Sequence, residues 1–455
     1  MRMQRSSQRL RQDAERIWWA GVQAVQPERL IPEHVSIDGN TLRVGDQEFD
    51  LLTIERIAIV GAGKAGASMT LALEGALGDD LLQAKQVTGW VNVPADCVRP
   101  TKCVHLHPAR PAGQNEPTAA GVHGTEEILK LASNLGPSDL CLCVISGGGS
   151  ALLPAPSEGL ALKTKLQLTR DISASGGTIE QLNTVRRELS RIKGGGLART
   201  CRAGQLVSLI LSDVPGDDLE TIASGPTVLR QSTPQAALDV LRELNLENTP
   251  AGKLVEDLLQ KPAKVLAAGS SRVTNLLIGN NATAVDAAGI EAERLGYSHA
   301  MISATEPEAT AEEVAERLLE MAVAMRKQSG PDCLISGGEP TVHLVPQAER
   351  GLGGRNQQLV LSALARLEDW QGLALLSGGT DGEDGPTDAA GAVVNQQVAQ
   401  RAQELGLDCQ DYLQRNDAYH FFEPLGGLLK TGPTHTNVCD VRVITVSRVN
   451  DGRLT

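Results

Sequence analysis

The sequence predicts an α/β protein of two domains, built on parallel strands buried on both faces. Two observations carry that expectation. The first is a recurring unit in which a short apolar run breaks into a glycine-rich turn. Leu140–Ile145 runs into Ser146-Gly147-Gly148-Gly149-Ser150, residues 57–60 into GAGKAG, 209–211 into SDVPGDD, 333–335 into SGGEPT and 373–376 into SGGTDG. A short apolar run without polar alternation suits a strand with no solvent face. Glycine lets the chain turn sharply and lets a ligand approach the backbone, and the N–H groups of such a turn can hold an anion. The second observation is length: 455 residues exceed what one core fills, and helical stretches separate the apolar runs. Strand tips rich in glycine, serine and acid point to one active site.

Composition narrows the class. Hydrophobic residues make up 41% and charged residues 21%, an ordinary globular mixture. Aromatics are only 2%, so the cores must be aliphatic and base stacking is disfavoured. A net charge of −13 argues against nucleic acid and anionic membrane as partners, but leaves an anionic small molecule open because local Lys and Arg decide that. No apolar run reaches the ~20 residues of a membrane span. The basic start lacks a signal-peptide core. The eight cysteines are scattered, as expected of buried thiols rather than disulfides or a metal site. A cytoplasmic enzyme is expected, and a homodimer is compatible with these properties.

In order, residues 6–26 suit an amphipathic helix, with Trp18 and Trp19 packing it. Residues 34–50 read as a hairpin around Gly39-Asn40. The strand at 57–60 turns through Gly61-Ala-Gly63-Lys64-Ala-Gly66 into a helix starting near Ala67. That is the dinucleotide pattern, but Lys64 stands where a pyrophosphate needs bare backbone, and no strand-ending acid follows about 20 residues on. Phosphate contact is the better role for Lys64. A strand at 87–93 leads to a loop holding His105, His107, Pro108 and Arg110, where metal binding is disfavoured for want of further ligands. A helix at 116–135 precedes the central strand. Residues 161–199 read as a long helical tract with Arg186, Arg187, Arg191 and Lys193 before three glycines; Arg187 and Arg191 share a face at helical spacing, and Lys193 is a ligand contact.

The strand at 207–211 delivers Asp213, placed to bind Mg²⁺ or orient a hydroxyl, while Asp217 and Asp218 read as turn formers. Residues 228–262 are helical, punctuated by Pro234, Pro250 and Pro262, and hold the expected domain boundary. A strand at 265–268 and a helix at 280–295 restart the alternation. Arg355, among glycines, is short of neighbours to pack on, which favours an oxyanion contact. Asp381, Glu383, Asp384 and Asp388 crowd one loop, suggesting Mg²⁺ or hydroxyl recognition with most of them forming turns. A last strand closes the chain.

As a set, VGAGKAG, VISGGGSALL, LNTVRRELSRIKGGGLA, LSDVPGDDLETIASGPT, SGGEPTV, GLGGRNQQ, LSGGTDGEDGPTDAAGA and TGPTHTNVCDV resemble the class II glycerate kinases, whose C-terminal part is the MOFRL domain. The resemblance implies ATP-dependent phosphorylation of D-glycerate at its 2-hydroxyl. It implies a Rossmann-like parallel sheet with helices on both faces over residues 1–245, a smaller α/β domain over 246–455 whose last strand could return to the first, and an active site in the cleft between. Lys64 and Arg355 are expected at the reacting phosphate and substrate. Asp213 is the preferred proton acceptor, and Asp213 and Asp381 are the candidate Mg²⁺ ligands. Gly63, Ser146, Gly147, Gly148, Gly149, Ser150, Asn183, Arg187, Lys193, Asn356, His435 and Asn437 are expected around substrate or phosphates. The sequence departs from the family pattern at Arg110-Pro111-Ala-Gly and at His435, where glycine is expected. Two alternatives stay open: an NAD(P)H-dependent hydroxypyruvate reductase, often the label of this family, and a non-catalytic phosphometabolite-binding protein.

Overall fold

The computed structural model describes residues 5–114, 116–229, 233–260 and 271–448. The chain divides into a unit of residues 30–278 and a second unit of residues 1–29 with 279–455.

The first unit begins with three antiparallel strands, β1 (Val35–Asp38), β2 (Thr41–Val44) and β3 (Gln47–Asp50). The expected hairpin is thus one strand short, because Gly45 adopts φ +61° and makes a second tight turn at Gly45-Asp46. The main sheet follows with β4 (Ile57–Ala62), β5 (Thr88–Pro94), β6 (Val104–Arg110), β7 (Leu140–Ile145), β8 (Gln205–Leu211) and β9 (Arg272–Gly279), in the order β6-β5-β4-β7-β8-β9. From β6 to β8 every pairing is parallel. Both β4 and β7 are buried at every position, as their unbroken apolar runs require. The loop expected around His105 and His107 is β6 itself. Its Pro108 is tolerated because β6 is an edge strand, where a missing N–H costs no ladder bond. The expected strand at 265–268 lies outside the described residues.

The tract at 161–199 is not one helix but three, Leu162–Ala174, Ile179–Glu188 and Gly196–Thr200. Gly176 (φ +77°) breaks the first from the second, which opens with a capping box of Thr178 and Gln181. Helices Pro234–Glu243 and Pro250–Leu259 each start on their proline, so these prolines open helices rather than mark a linker. Leu168, Ile172, Val185, Leu241 and Val255 share one buried cluster across four of these five helices, all but Gly196–Thr200. That shared core keeps residues 234–259 in the first unit and moves the boundary from the expected 245/246 to 278/279.

The second unit holds β10 (His299–Ile302), β11 (Cys333–Gly338), β12 (Leu373–Gly379), β13 (Gly391–Asn395), β14 (Leu428–Leu429) and β15 (Asp440–Val446). The sheet order is β10-β11-β15-β12-β13-β14, parallel only between β10 and β11. The last strand does not return to the first unit; β15 runs antiparallel between β11 and β12, buried at all seven positions. Helix Ser7–Ala24 belongs here too. Trp18 Nε1 donates to the Gly378 carbonyl (3.1 Å), and the Leu10 carbonyl accepts from Thr445 Oγ1 (2.9 Å). Among the described residues no helix is long and apolar enough to cross a membrane.

Candidate active site

In the first unit the tips of β4 and β7 are locked together. The Ala65 N–H donates to Ser146 Oγ (3.0 Å), and the Lys64 N–H to the Gly147 carbonyl (2.9 Å). Gly63 lies at φ +152°, and a Cβ there would stand 1.9 Å from Ser146 Oγ and 2.8 Å from the Ser146 backbone nitrogen. Gly63→Ala should therefore cost about 2–4 kcal/mol, backbone strain added to a clash, read as a lowered denaturation midpoint. Gly148 is left-handed (φ +75°), just before the short helix Gly149–Leu152. A Cβ on it would lie 3.6 Å from Lys64 Cγ and 3.5 Å from Arg110 Nη2, so two cationic side chains border this glycine. Sequence reasoning took Arg110 as a loop residue and the first of the departure Arg110-Pro111-Ala-Gly; its place at the end of β6 was the missed signal.

Ser150 starts a second cluster. Lys193 Nζ donates to Ser150 Oγ (2.5 Å) and to the Ser150 carbonyl (3.0 Å), and Arg186 Nη2 donates to Ser150 Oγ (3.2 Å). With both lone pairs of that oxygen taken, its hydrogen points to Ser224 Oγ, 3.0 Å away. Burial, with the charges of Arg186 and Lys165 behind it, holds Lys193 well below the ordinary lysine range. Arg187 is nearly buried, 3.8 Å from Glu220. It does not share a helix face with Arg191, because the helix ends at Glu188. Arg191 instead pairs with Glu126 (3.0 Å). Asn183 is half-buried in that helix.

Asp213 follows β8, half-buried, in a turn where the Val214 N–H donates to Ser212 Oγ (3.2 Å). Asp218 is a turn former as expected, accepting from the Glu220 N–H and Thr221 Oγ1. Asp217 takes a left-handed conformation (φ +56°).

In the second unit Arg355 begins the helix Arg355–Arg366, and it has close partners, contrary to expectation. Its Nε and Nη2 grip Asp440 (2.7 and 3.0 Å), and Nη1 pairs with Glu339 (2.9 Å). Asp440 opens β15 and is fully buried. Burial alone would push its carboxyl up, but Arg355 and then Arg442 hold it below the usual carboxylate range. Two of the four acids crowding the next loop have structural duties. Asp384 accepts from the Asn356 and Gln357 N–H groups (3.0 and 2.8 Å), capping that helix, and Asp388 accepts from Tyr419 (2.7 Å) and Lys430 (3.0 Å). Asn356 is buried and accepts from Ser377 Oγ (2.5 Å) on β12.

Burial raises Asp384 from 3.8 to about 7, against the pull of its two backbone donors. The folded state then keeps a proton that the unfolded chain has released, so this group lowers stability as pH rises from about 4 to about 7. Asp384→Asn should remove that slope. Its stability relative to the parent, by denaturant titration, should rise by about 1–3 kcal/mol across that range.

Asp381 sits in the turn after β12, its carboxylate accepting from the Glu383 N–H (3.1 Å) and its carbonyl from the Thr434 N–H (3.1 Å). Thr380 fastens the neighbouring loop, since its Oγ1 accepts from the Val438 N–H (2.8 Å) and donates to the Cys439 carbonyl (2.6 Å). His435, where glycine was expected, takes φ +61°, which glycine would adopt without strain. Asn437 Oδ1 accepts from the Cys439 N–H (3.4 Å). Three groups emerge among the predicted residues: Gly63, Lys64 and Ser146–Gly148; Ser150 with Lys193; and Arg355 and Asn356, with Asp381 and His435 on adjoining loops of the same unit. Among the described residues no three His, Cys, Asp or Glu converge as metal ligands.

Residues 13–260 match a domain of unknown function, DUF4147, and residues 332–440 match the MOFRL family. Human glycerate kinase is 36% identical over 96% of this chain and 94% of its own length. The chain belongs to the glycerate kinase family. The D-glycerate 2-kinase of Thermotoga maritima is 37% identical over 86% of this chain and 90% of its own. A crystal structure of a Thermotoga maritima glycerate kinase superposes with a TM-score of 0.78 at 34% identity, covering 96% of this chain and 99% of that one. Within a glycerate kinase framework, the residues that sequence reasoning passed over are those that hold Arg355, namely Asp440 and Glu339; Asp384, which caps its helix, stood there only as one acid of a crowded loop. Asp440 was visible in NVCDV, but nothing local marks it as the partner of an arginine 85 residues earlier.

Proposed function

We propose that the chain is a D-glycerate 2-kinase, transferring the γ-phosphoryl group of ATP to the 2-hydroxyl of D-glycerate. The observation that carries this reading is Lys64, set between interlocked glycine turns at the tips of two buried parallel strands. A cation on bare backbone there suits phosphate, and full-length relatives carry glycerate kinase names.

In the transfer, the 2-hydroxyl oxygen bonds to the γ-phosphorus while the bond to the β,γ-bridging oxygen breaks. Asp213 is the carboxylate proposed to accept the hydroxyl proton. Lys64 stabilises the charge growing on the transferred group. In the second unit Arg355 is the proposed contact for a substrate oxyanion: Asp440 fixes its Nε and Nη2, and an incoming anion competes with Glu339 for Nη1. Single carboxylates such as Asp213 and Asp381 fit Mg²⁺, which keeps several waters and takes one or two carboxylates beside substrate phosphates. When bound, Mg²⁺ neutralises phosphate charge.

The test compares ADP release with ATP, Mg²⁺ and D-glycerate against NAD(P)H oxidation with hydroxypyruvate. Product stopping at 2-phosphoglycerate is expected, with no nicotinamide oxidation. Nicotinamide oxidation without ADP release would overturn the reading.

A further inference from the structure

Beside Ser150 the first unit holds a part-open cavity of about 180 Å³, lined among others by Pro154, Lys165, Thr169, Arg186 and Lys193. Lys165 and Lys193 keep only 8% and 3% of their surface exposed. Among the described residues neither they nor Arg186 pairs with a carboxylate. Lys165 spends one donor on the Leu189 carbonyl (2.8 Å), and Arg186 spends one on Ser150 Oγ (3.2 Å). Lys193 and Arg186 donate to the same oxygen, at 2.5 and 3.2 Å, so their nitrogens stand no further apart than those two distances together. The one acid among the lining residues, Glu116, is exposed and faces Arg170 at 3.2 Å.

Like charges buried side by side without a counter-charge oppose one another and resist desolvation. Burial, with the charge of Arg186, accordingly brings Lys165 down to about 7. Natural proteins keep such groups where something negative completes them, and here no carboxylate among the described residues supplies that partner. We propose that the cavity is a binding site for a small oxyanion, a carboxylate or phosphate on a molecule no larger than a three-carbon acid, held by Lys165, Arg186 and Lys193. The cavity lies below the ~300–1,000 Å³ typical of sites for drug-sized ligands, which suits such an acid better than a nucleotide. Spare donors on Lys165 and Arg186 supply the hydrogen bonds, and the planar guanidinium matches two oxygens of either group.

The experiment is thermal unfolding of the full chain with increasing inorganic phosphate or D-glycerate, against chloride at equal ionic strength. Saturable stabilisation by at least one of the two acids is expected. If phosphate alone acts, the site holds a phosphate group; if D-glycerate acts and competes with phosphate, it holds the acceptor's carboxylate. Lys165→Met keeps the apolar stem and removes the buried charge. It should raise the midpoint without ligand and weaken the response at least 10-fold, and Arg186→Gln should weaken it similarly. No saturable response to either acid overturns the proposal, as does a Lys165→Met protein that binds like the parent or melts lower without ligand, the mark of a purely structural lysine. The use of D-glycerate rests on the kinase reading, whereas the phosphate arm does not. Lys64→Ala should keep the phosphate response, so the pocket and the kinase chemistry fail separately.

Discussion

Lys64→Ala should lower turnover of D-glycerate by about 100- to 1,000-fold, the usual loss when a preorganised donor to a developing oxyanion is removed. Its effect on folding should be small, with the thermal midpoint within about 3 °C of the parent. The asymmetry follows from how the turn is built. What locks β4 to β7 is the Lys64 N–H on the Gly147 carbonyl and the Ala65 N–H on Ser146, and alanine keeps both. Steady-state rates at saturating ATP and D-glycerate, beside a melting curve, give both numbers. A variant with near-parental kcat would remove Lys64 from the chemistry.

Asp440→Asn should reverse that balance, harming stability and activity together. Asp440 is fully buried and holds two nitrogens of Arg355. Withdrawing one partner of such a pair leaves a charge uncompensated, at a cost of about 3–5 kcal/mol. Asparagine keeps one acceptor, so the lower figure is expected, read by denaturant unfolding. The deficit should depend on pH with a definite sign. Arg355 holds the folded pKa of Asp440 below its ordinary 3.8 despite burial, so its contribution is complete above about pH 4 and is lost as pH falls through the folded value. Parent and variant should therefore differ most near neutrality and converge in acid. Because the guanidinium also loses its fixed orientation, kcat should fall more than binding weakens. A variant as stable as the parent at pH 7 would mean that Glu339 alone suffices for Arg355.

What the sequence made legible was whatever is local. Strands such as β4, β7 and β12 could be read from unbroken apolar runs, and their tips from the glycines that follow, because burial on both faces leaves a mark on consecutive residues. Lys64 and Ser146 could be placed at those tips on the same ground. Partnerships across the chain left no such mark. Arg355 looked isolated among glycines although Asp440 and Glu339 hold it, and Asp384 looked like one acid among four although it caps the Arg355 helix. The boundary was misplaced for a related reason: Pro234 and Pro250 carry the same chemistry whether they start helices or interrupt a linker. Only the shared core of Leu168, Val185, Leu241 and Val255 decides between those roles.

The place of helix Ser7–Ala24 in the second unit has a consequence for biosynthesis. The helix is synthesised before the first unit, yet β12 and β15, against which it packs, are synthesised after that unit. At roughly 5–20 residues per second, the 435 residues that separate Leu10 from Thr445 mean a delay of roughly 20–90 s. During that interval Leu10, Ile17 and Trp18, all hidden in the finished protein, have no sheet to cover them. The first unit is contiguous in sequence and can close while synthesis continues. The second cannot close until the segments before and after the first unit meet, so the apolar face of its helix waits uncovered throughout that synthesis.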